Sequence, residues 1–318
     1  MTSRSVVITG GNTGLGYACA AALLASQDGP PWQVVLACRN QERAQAAVTR
    51  LIEAVGHGGR AEAMPLDLAS LASVREFGAE LVGRLSAGAL PPLHGLVCNA
   101  GLLTGARPSV TADGFETAFG VNHLGHFLLV SALRPALQPP ARVVVVASNV
   151  HDPAKKAGVP APAWNDPAAL ARGELGPGGA RDKPFASGQR RYSTSKLANV
   201  YFTYALARRL PAGVTANAFD PGMVPGTGLT RAAPAPMHFA ATHVLPHIIP
   251  LLRRLMNPNV HTIEESGDAL ARMLTSPALA GATGRYFEGR REIRSSDESY
   301  DEDRAEQLWH ASEALTAT

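Results

Sequence analysis

No stretch of this chain approaches the roughly 20 consecutive apolar residues of a membrane-spanning helix, so none of its 318 residues is expected to cross a bilayer. An excess of one charge is missing as well. Lys and Arg outnumber Asp and Glu by only 29 to 26, too small a surplus for the phosphate-neutralising surface of a nucleic-acid binder. No nucleic-acid partner is expected. Cysteine is scarce: Cys19, Cys38 and Cys98 cannot all pair, none belongs to a Cys-x-x-Cys, and each lies in an apolar stretch. That usage fits a reducing compartment, so a cytoplasmic location is expected. Met1 to Ser5 runs straight into Val6-Val7-Ile8 without the charged start, long apolar stretch and cleavage site of a signal peptide, and none is expected.

What the chain does have is alternation. Short β-branched runs, Val6 to Thr9, Gln33 to Cys38, Ala61 to Leu66, Gly95 to Asn99, Val143 to Ala147 and Val214 to Phe219, read as strands buried on both faces. Helical patterns at about 15–27, 41–55, 70–86, 114–137 and 190–210 fall between them. Strand and helix taking turns imply an α/β fold with a doubly wound, mostly parallel sheet of the Rossmann type, a three-layer α/β/α sandwich with right-handed crossovers. The expectation is one domain over 1–318.

Two stretches break the rhythm. Residues 152–189 are rich in Pro, Gly and Ala, which suits an irregular insertion better than a long helix. Residues 223–262 interleave six prolines with Met237, Phe239, Val244, Leu245, Ile248, Ile249, Leu251, Leu252 and Leu255. Both read as covers for a pocket or as surface excursions packed on the sheet. For 237–255 the alternatives are a lid over a bulky hydrophobic substrate and an interfacial helix on a membrane surface; the prolines oppose one long amphipathic helix and favour the lid. His243 and His247 stand four apart, but Pro246 interrupts the helix that would align them, so no metal is expected.

Thr9-Gly10-Gly11-Asn12-Thr13-Gly14-Leu15-Gly16 follows the first strand and opens the first helix. Glycines there let the chain turn tightly and bring backbone amides and a helix N-terminus to a pyrophosphate; a plain strand-to-helix turn is the alternative. Arg39 lies 23 positions beyond Gly16, where a guanidinium suits the 2′-phosphate of NADP(H), though a solvated Arg at a strand end would look the same. Asp67 and Asn99-Ala100-Gly101 end the third and fourth strands, where open sheets place ligands; either could also cap a helix.

Together with Asn122, Ser148, Tyr192-Ser193-Thr194-Ser195-Lys196 and Pro221-Gly222, these residues resemble the short-chain dehydrogenase/reductase family over nearly the whole chain. Within it the sequence looks most like light-dependent protochlorophyllide reductases and retinol dehydrogenases. Leu36-Ala37-Cys38-Arg39, Leu66-Asp67-Leu68, Asn122-His123-Leu124-Gly125-His126, Glu264-Glu265-Ser266-Gly267 and Gln307-Leu308-Trp309 carry the closer match. The resemblance implies a catalytic set of Asn122, Ser148, Tyr192 and Lys196. It implies cofactor contacts at Gly10, Asn12, Thr13, Gly14, Leu15, Gly16, Arg39, Asp67, Leu68, Asn99, Ala100, Gly101, Tyr192, Lys196, Pro221, Gly222, Val224 and Thr227.

Tyr192 and Lys196 are four apart, hence on one helical face. A nearby ammonium is expected to favour phenolate and lower the phenol's pKa toward the operating pH. By the resemblance Tyr192 exchanges the substrate proton, Lys196 also holds the nicotinamide ribose, Ser148 hydrogen-bonds the substrate oxygen, and Asn122 orients a water linked to Lys196. Each residue alone has a structural alternative. Ser148 and Tyr192 are 44 residues apart, a long spacing similar to that of protochlorophyllide reductases, yet Ala198 and Met223 stand where that group has cysteines. The expected activity is therefore NADPH-dependent hydride transfer to or from a lipophilic carbonyl or alcohol. Light-driven protochlorophyllide reduction and a noncatalytic NADP-binding sensor or scaffold are the alternatives. The resemblance also implies a homo-oligomer, although the extended C-terminal region would cover the usual contact surface.

Overall fold

A computed structural model describes residues 3–27, 29–56, 60–179, 182–255 and 258–317. The expected insertion at 152–189 and lid at 223–262 therefore include short pieces, 180–181 and 256–257, that lie outside the described residues. Eight strands form one sheet: β1 Arg4–Thr9, β2 Trp32–Cys38, β3 Arg60–Pro65, β4 Leu93–Cys98, β5 Leu137–Val146, β6 Val214–Asp220, β7 Arg285–Glu288 and β8 Arg291–Ile293. Their order is β3-β2-β1-β4-β5-β6-β7-β8, and all neighbours are parallel except β7 and β8.

Side chains alternate across the sheet, as the two-residue strand period requires. Val6 and Ile8 of β1 pack with Val34 and Leu36 of β2 beneath helices α1 (Gly14–Ala25), α2 (Gln41–Val55) and the later α6 (Ile263–Thr275). Val7 and Val35 face the other side, beneath α3 (Leu71–Ser86), α4 (Gly125–Leu133), α5 (Pro184–Ala207) and α7 (Glu302–Leu315). The chain runs from β1 outward to β2 and β3, then returns to place β4 on the opposite flank of β1. This reversal opens a crevice at the carboxyl ends of β1 and β4, the usual ligand position in open α/β sheets.

Several phrases noted in the sequence prove to be packing devices. A Cβ on Gly125 would lie 2.6 Å from the Leu68 carbonyl oxygen, and one on Gly267 would lie 2.3 Å from the Ala18 Cβ. Only glycine lets α4 approach the loop at Leu68, and α6 approach α1, so closely. Thr262 and Glu265 form a reciprocal cap at the start of α6, while the Ser266 hydroxyl donates to Pro221 O. Trp309 packs edge-on against Phe127 and parallel to Phe202, tying α7 to the core.

The structure corrects the sequence reading in places. β3 is an edge strand, so it is only partly buried. The expected helix at 114–137 is divided into Thr117–Phe119, a π-helical Gly120–Leu124, α4 and a 3-10 turn at Arg134–Ala136. α5 starts at Pro184, inside the expected irregular insertion, because proline at the first helical position has its φ already set and needs no hydrogen-bond donor. β7, β8, α6 and α7 complete the fold beyond the elements expected. Residues 228–255 form a chain of short helical pieces, Gly228–Ala232, Ala235–Phe239, Ala240–Val244, Leu245–Ile248 and Ile249–Leu255. No helix among the described residues is long and apolar enough to cross a membrane.

Candidate active site

The glycine-rich loop leaves β1 through Gly10 (φ +64°) and enters α1 at Gly14 (φ +55°), two left-handed positions that disfavour side chains. At Gly16 the constraint is space: a Cβ would lie 2.6 Å from Asn99 Nδ2 and 2.8 Å from Gly10 O. Thr13 provides no side-chain cap to α1, whose first turn contains no acid. Its leading amides and positive dipole end are thus suited to an anion. The amides of Gly10, Gly11 and Asn12 also oppose the burial that raises the Cys38 thiol pKa. Leu15 is half-buried at the start of the helix. This donor set fits a dinucleotide pyrophosphate.

A hydrogen-bonded frame fixes the loop. Thr9 Oγ1 accepts from the amides of Asn99 and Ala100, each at 2.9 Å, while Asn99 Nδ2 donates to Thr9 O at 2.8 Å. His126 Nδ1 donates to Asn122 O at 3.2 Å, leaving Nε2 to accept from the Thr9 hydroxyl at 2.9 Å. Burial lowers the His126 pKa to about 4, so the ring is neutral, as this tautomer requires. Asp67 Oδ1 accepts from Ala69 N, and Leu68 is buried against Gly125. Arg39 is exposed immediately after β2.

Across the crevice, α5 carries Tyr192 and Lys196, both buried. Lys196 Nζ lies 5.6 Å from the Tyr192 ring centroid and donates to Val146 O at 2.8 Å, at the end of β5. A Cβ on Gly101 would lie 3.5 Å from this Nζ and 3.4 Å from Asn122 Oδ1. Gly101, Asn122 and Lys196 therefore meet. Ser148 follows β5 and acts on the Tyr192 hydroxyl in the direction that favours phenolate. Pro221, Gly222, Val224 and Thr227 continue from β6; Thr227 donates to Val224 O and places its methyl 3.6 Å from the position of a Cβ on Gly14. This segment thus reaches the glycine loop.

Two details differ from expectation. Burial, reinforced by the Asp220 carboxylate, raises the Tyr192 pKa, and this outweighs the lowering by Ser148. Lys196 does not produce the expected depression: desolvation pushes its own pKa down to about 8, and its ammonium is directed at Val146 O. Asn122 makes protein contacts that were not expected. Its Nδ2 protons go to Leu102 O and Ser195 Oγ, while Oδ1 accepts from Leu102 N. The side chain ties the loop after β4 to α5.

Sequence reasoning missed two buried groups. Asp220, at the end of β6, accepts from Gly222 N at 2.9 Å, and burial raises its pKa to about 6. Its carboxylate raises the pKa of both Tyr192 and Lys196. An acid just before Pro221-Gly222 was the available signal. His151 Nδ1 donates to Ser148 O at 2.7 Å, while its Nε2 accepts from Ser296 N at 3.0 Å. Burial lowers its pKa, and this pairing requires a neutral ring that holds the Ser148 turn against the C-terminal region. A separate cleft of about 320 Å³, lined by Tyr204, Arg208 and Tyr300, lies toward the other end of α5.

The family model described as short chain dehydrogenase matches residues 4–159. The chain is 35% identical to the WW domain-containing oxidoreductase of Homo sapiens, covering 99% of this chain and 68% of that protein. It is also 35% identical to the protochlorophyllide reductase of Avena sativa, covering 98% of each. Among solved structures, the Pseudomonas aeruginosa RhlG/NADP active-site complex has a TM-score of 0.60 and 26% identity, covering 90% of this chain and 94% of that one.

Proposed function

This chain belongs to the short chain dehydrogenase family, and on that premise we propose that it is an NADPH-dependent oxidoreductase acting on a lipophilic carbonyl or alcohol. The observation that carries this reading is the convergence of buried Tyr192 and Lys196 with half-buried Ser148, Lys196 standing beside Gly101, across the crevice from the uncapped start of α1. A nicotinamide cofactor bound there supplies or accepts the hydride.

The protein residues handle binding and the proton. The loop amides from Gly10 to Gly16 hold the pyrophosphate, and exposed Arg39 selects the 2′-phosphate. Ser148 hydrogen-bonds the substrate oxygen. With its pKa raised, Tyr192 carries its proton at neutral pH and donates it to that oxygen when a carbonyl is reduced. Lys196 is largely charged below about pH 8 and holds the nicotinamide ribose. Residues 223–255 cover the substrate side. Asp220 and His151 are positioning residues, the first acting on the charges and the second holding the Ser148 turn.

The likeness to protochlorophyllide reductase supplies a second reading. Against it, Ala198 is buried in the core and Met223 carries no transferable proton. The test is turnover of NADPH with a panel of lipophilic aldehydes and ketones, alongside protochlorophyllide in darkness and under illumination. Carbonyl-dependent NADPH oxidation in the dark is expected. Chlorophyllide formed only in the light, without carbonyl turnover, would replace the first reading with the second; cofactor binding without turnover would favour a sensor or scaffold.

A further inference from the structure

We infer that the outward face of residues 223–255 docks on the anionic headgroups of a lipid bilayer. Nine large hydrophobic side chains are exposed among the described residues, and six belong to this segment: Met223 (41%), Met237 (48%), Phe239 (60%), Val244 (45%), Leu251 (51%) and Leu255 (70%). Such clustering is unlike the scattered apolar exposure of an ordinary surface. These side chains are not required by the segment's own core, which Ile249, Leu252 and Val260 form with Leu245 and Ile248. Within Ile249–Leu255, residues 249 and 252 turn inward, whereas Leu251 and Leu255, four apart, share the outer face.

The charge pattern identifies the partner. No Asp or Glu occurs between Pro221 and Ile263. Arg253 is committed inward to Glu265 and Val260 O, but Arg231 and Arg254 are exposed and make no salt bridge among the described residues. Exposed Arg107 adds to them, since its loop adjoins the segment where a Cβ on Gly105 would lie 3.1 Å from Ala232 O. Apolar side chains beside arginines, where the Glu265 carboxylate is already taken by Arg253, suit a bilayer interface with anionic headgroups. A symmetric contact with a second copy would set the same cationic face against itself. The docked face would draw a lipophilic compound from the bilayer, a consequence that rests on the proposed function; binding itself does not.

The test is co-sedimentation of the intact protein with vesicles of pure phosphatidylcholine and of phosphatidylcholine containing phosphatidylserine, read without turnover. Strong partitioning to the anionic vesicles, reduced by raised salt, is expected. Phe239→Asp and Leu255→Asp should each reduce it at least tenfold, and Arg254→Gln about fivefold, with unchanged circular dichroism and thermal midpoint confirming folding. Equal retention of all variants, or no binding of wild type to anionic vesicles, would overturn the inference. So would a dimer by light scattering, without vesicle binding, that reverts to monomer in Leu255→Asp. If vesicle binding holds but carbonyl turnover fails, the proposed chemistry falls and the docking surface stands.

Discussion

Around the glycine-rich loop, Thr9, Asn99, Asn122 and His126 direct their side chains to protein partners at defined distances, whereas residues 223–255 turn apolar side chains toward solvent. The first region is rigidly specified by backbone conformation, close approach and hydrogen bonding. In the second, short helical pieces share only a small core. On the proposed function the two regions have two tasks: holding a common cofactor calls for a repeated geometry, while receiving a particular substrate leaves residue identity open.

Changes on the cofactor side should therefore be costly and specific. Tyr192→Phe has the largest expected effect: turnover falls by roughly 10²–10⁴-fold, the usual contribution of general acid catalysis, while NADPH affinity is retained. Comparable turnover would place the proton donor elsewhere. Trp309→Ala should lower stability by about 3–5 kcal/mol in denaturant unfolding, because the indole packs against both Phe127 and Phe202. A much smaller loss would mean that α7 contributes little to the frame.

Two further substitutions address nucleotide recognition. Gly16→Val should weaken NADPH binding by about 5- to 150-fold, the equivalent of 1–3 kcal/mol of overpacking against Asn99 and Gly10. Arg39→Asp should reduce the preference for NADPH over NADH by about tenfold, the scale of one charge-assisted hydrogen bond. Fluorescence titration with both cofactors checks each result, and an unchanged ratio would remove Arg39 from the phosphate site.

The same contrast governs what was legible in the sequence. Gly10, Gly14 and Gly16 were legible because their positions exclude side chains through positive φ or close approach. Six strands stood out as β-branched runs, but β7 and β8 are short and each carries an Arg and a Glu, so their pairing leaves little periodic signal. The Tyr192 and Lys196 spacing gave their common face, but not the balance of desolvation and charge that raises one pKa and lowers the other. That balance depends on Asp220, which the next strand, β6, brings to them in the fold. His151 was hidden for a similar reason: its partners, Ser148 and Ser296, meet only in the folded chain.

The pH profile of kcat/KM for carbonyl reduction in wild type and Asp220→Asn tests the electrostatics of the proposed centre most directly. Activity should be greatest while Lys196 is charged and should decline as pH rises through about 8. Removing the Asp220 carboxylate, which supports that charge, should move the decline to lower pH. A decline that stays fixed or moves upward would contradict the coupling of Asp220 and Lys196 to proton donation by Tyr192.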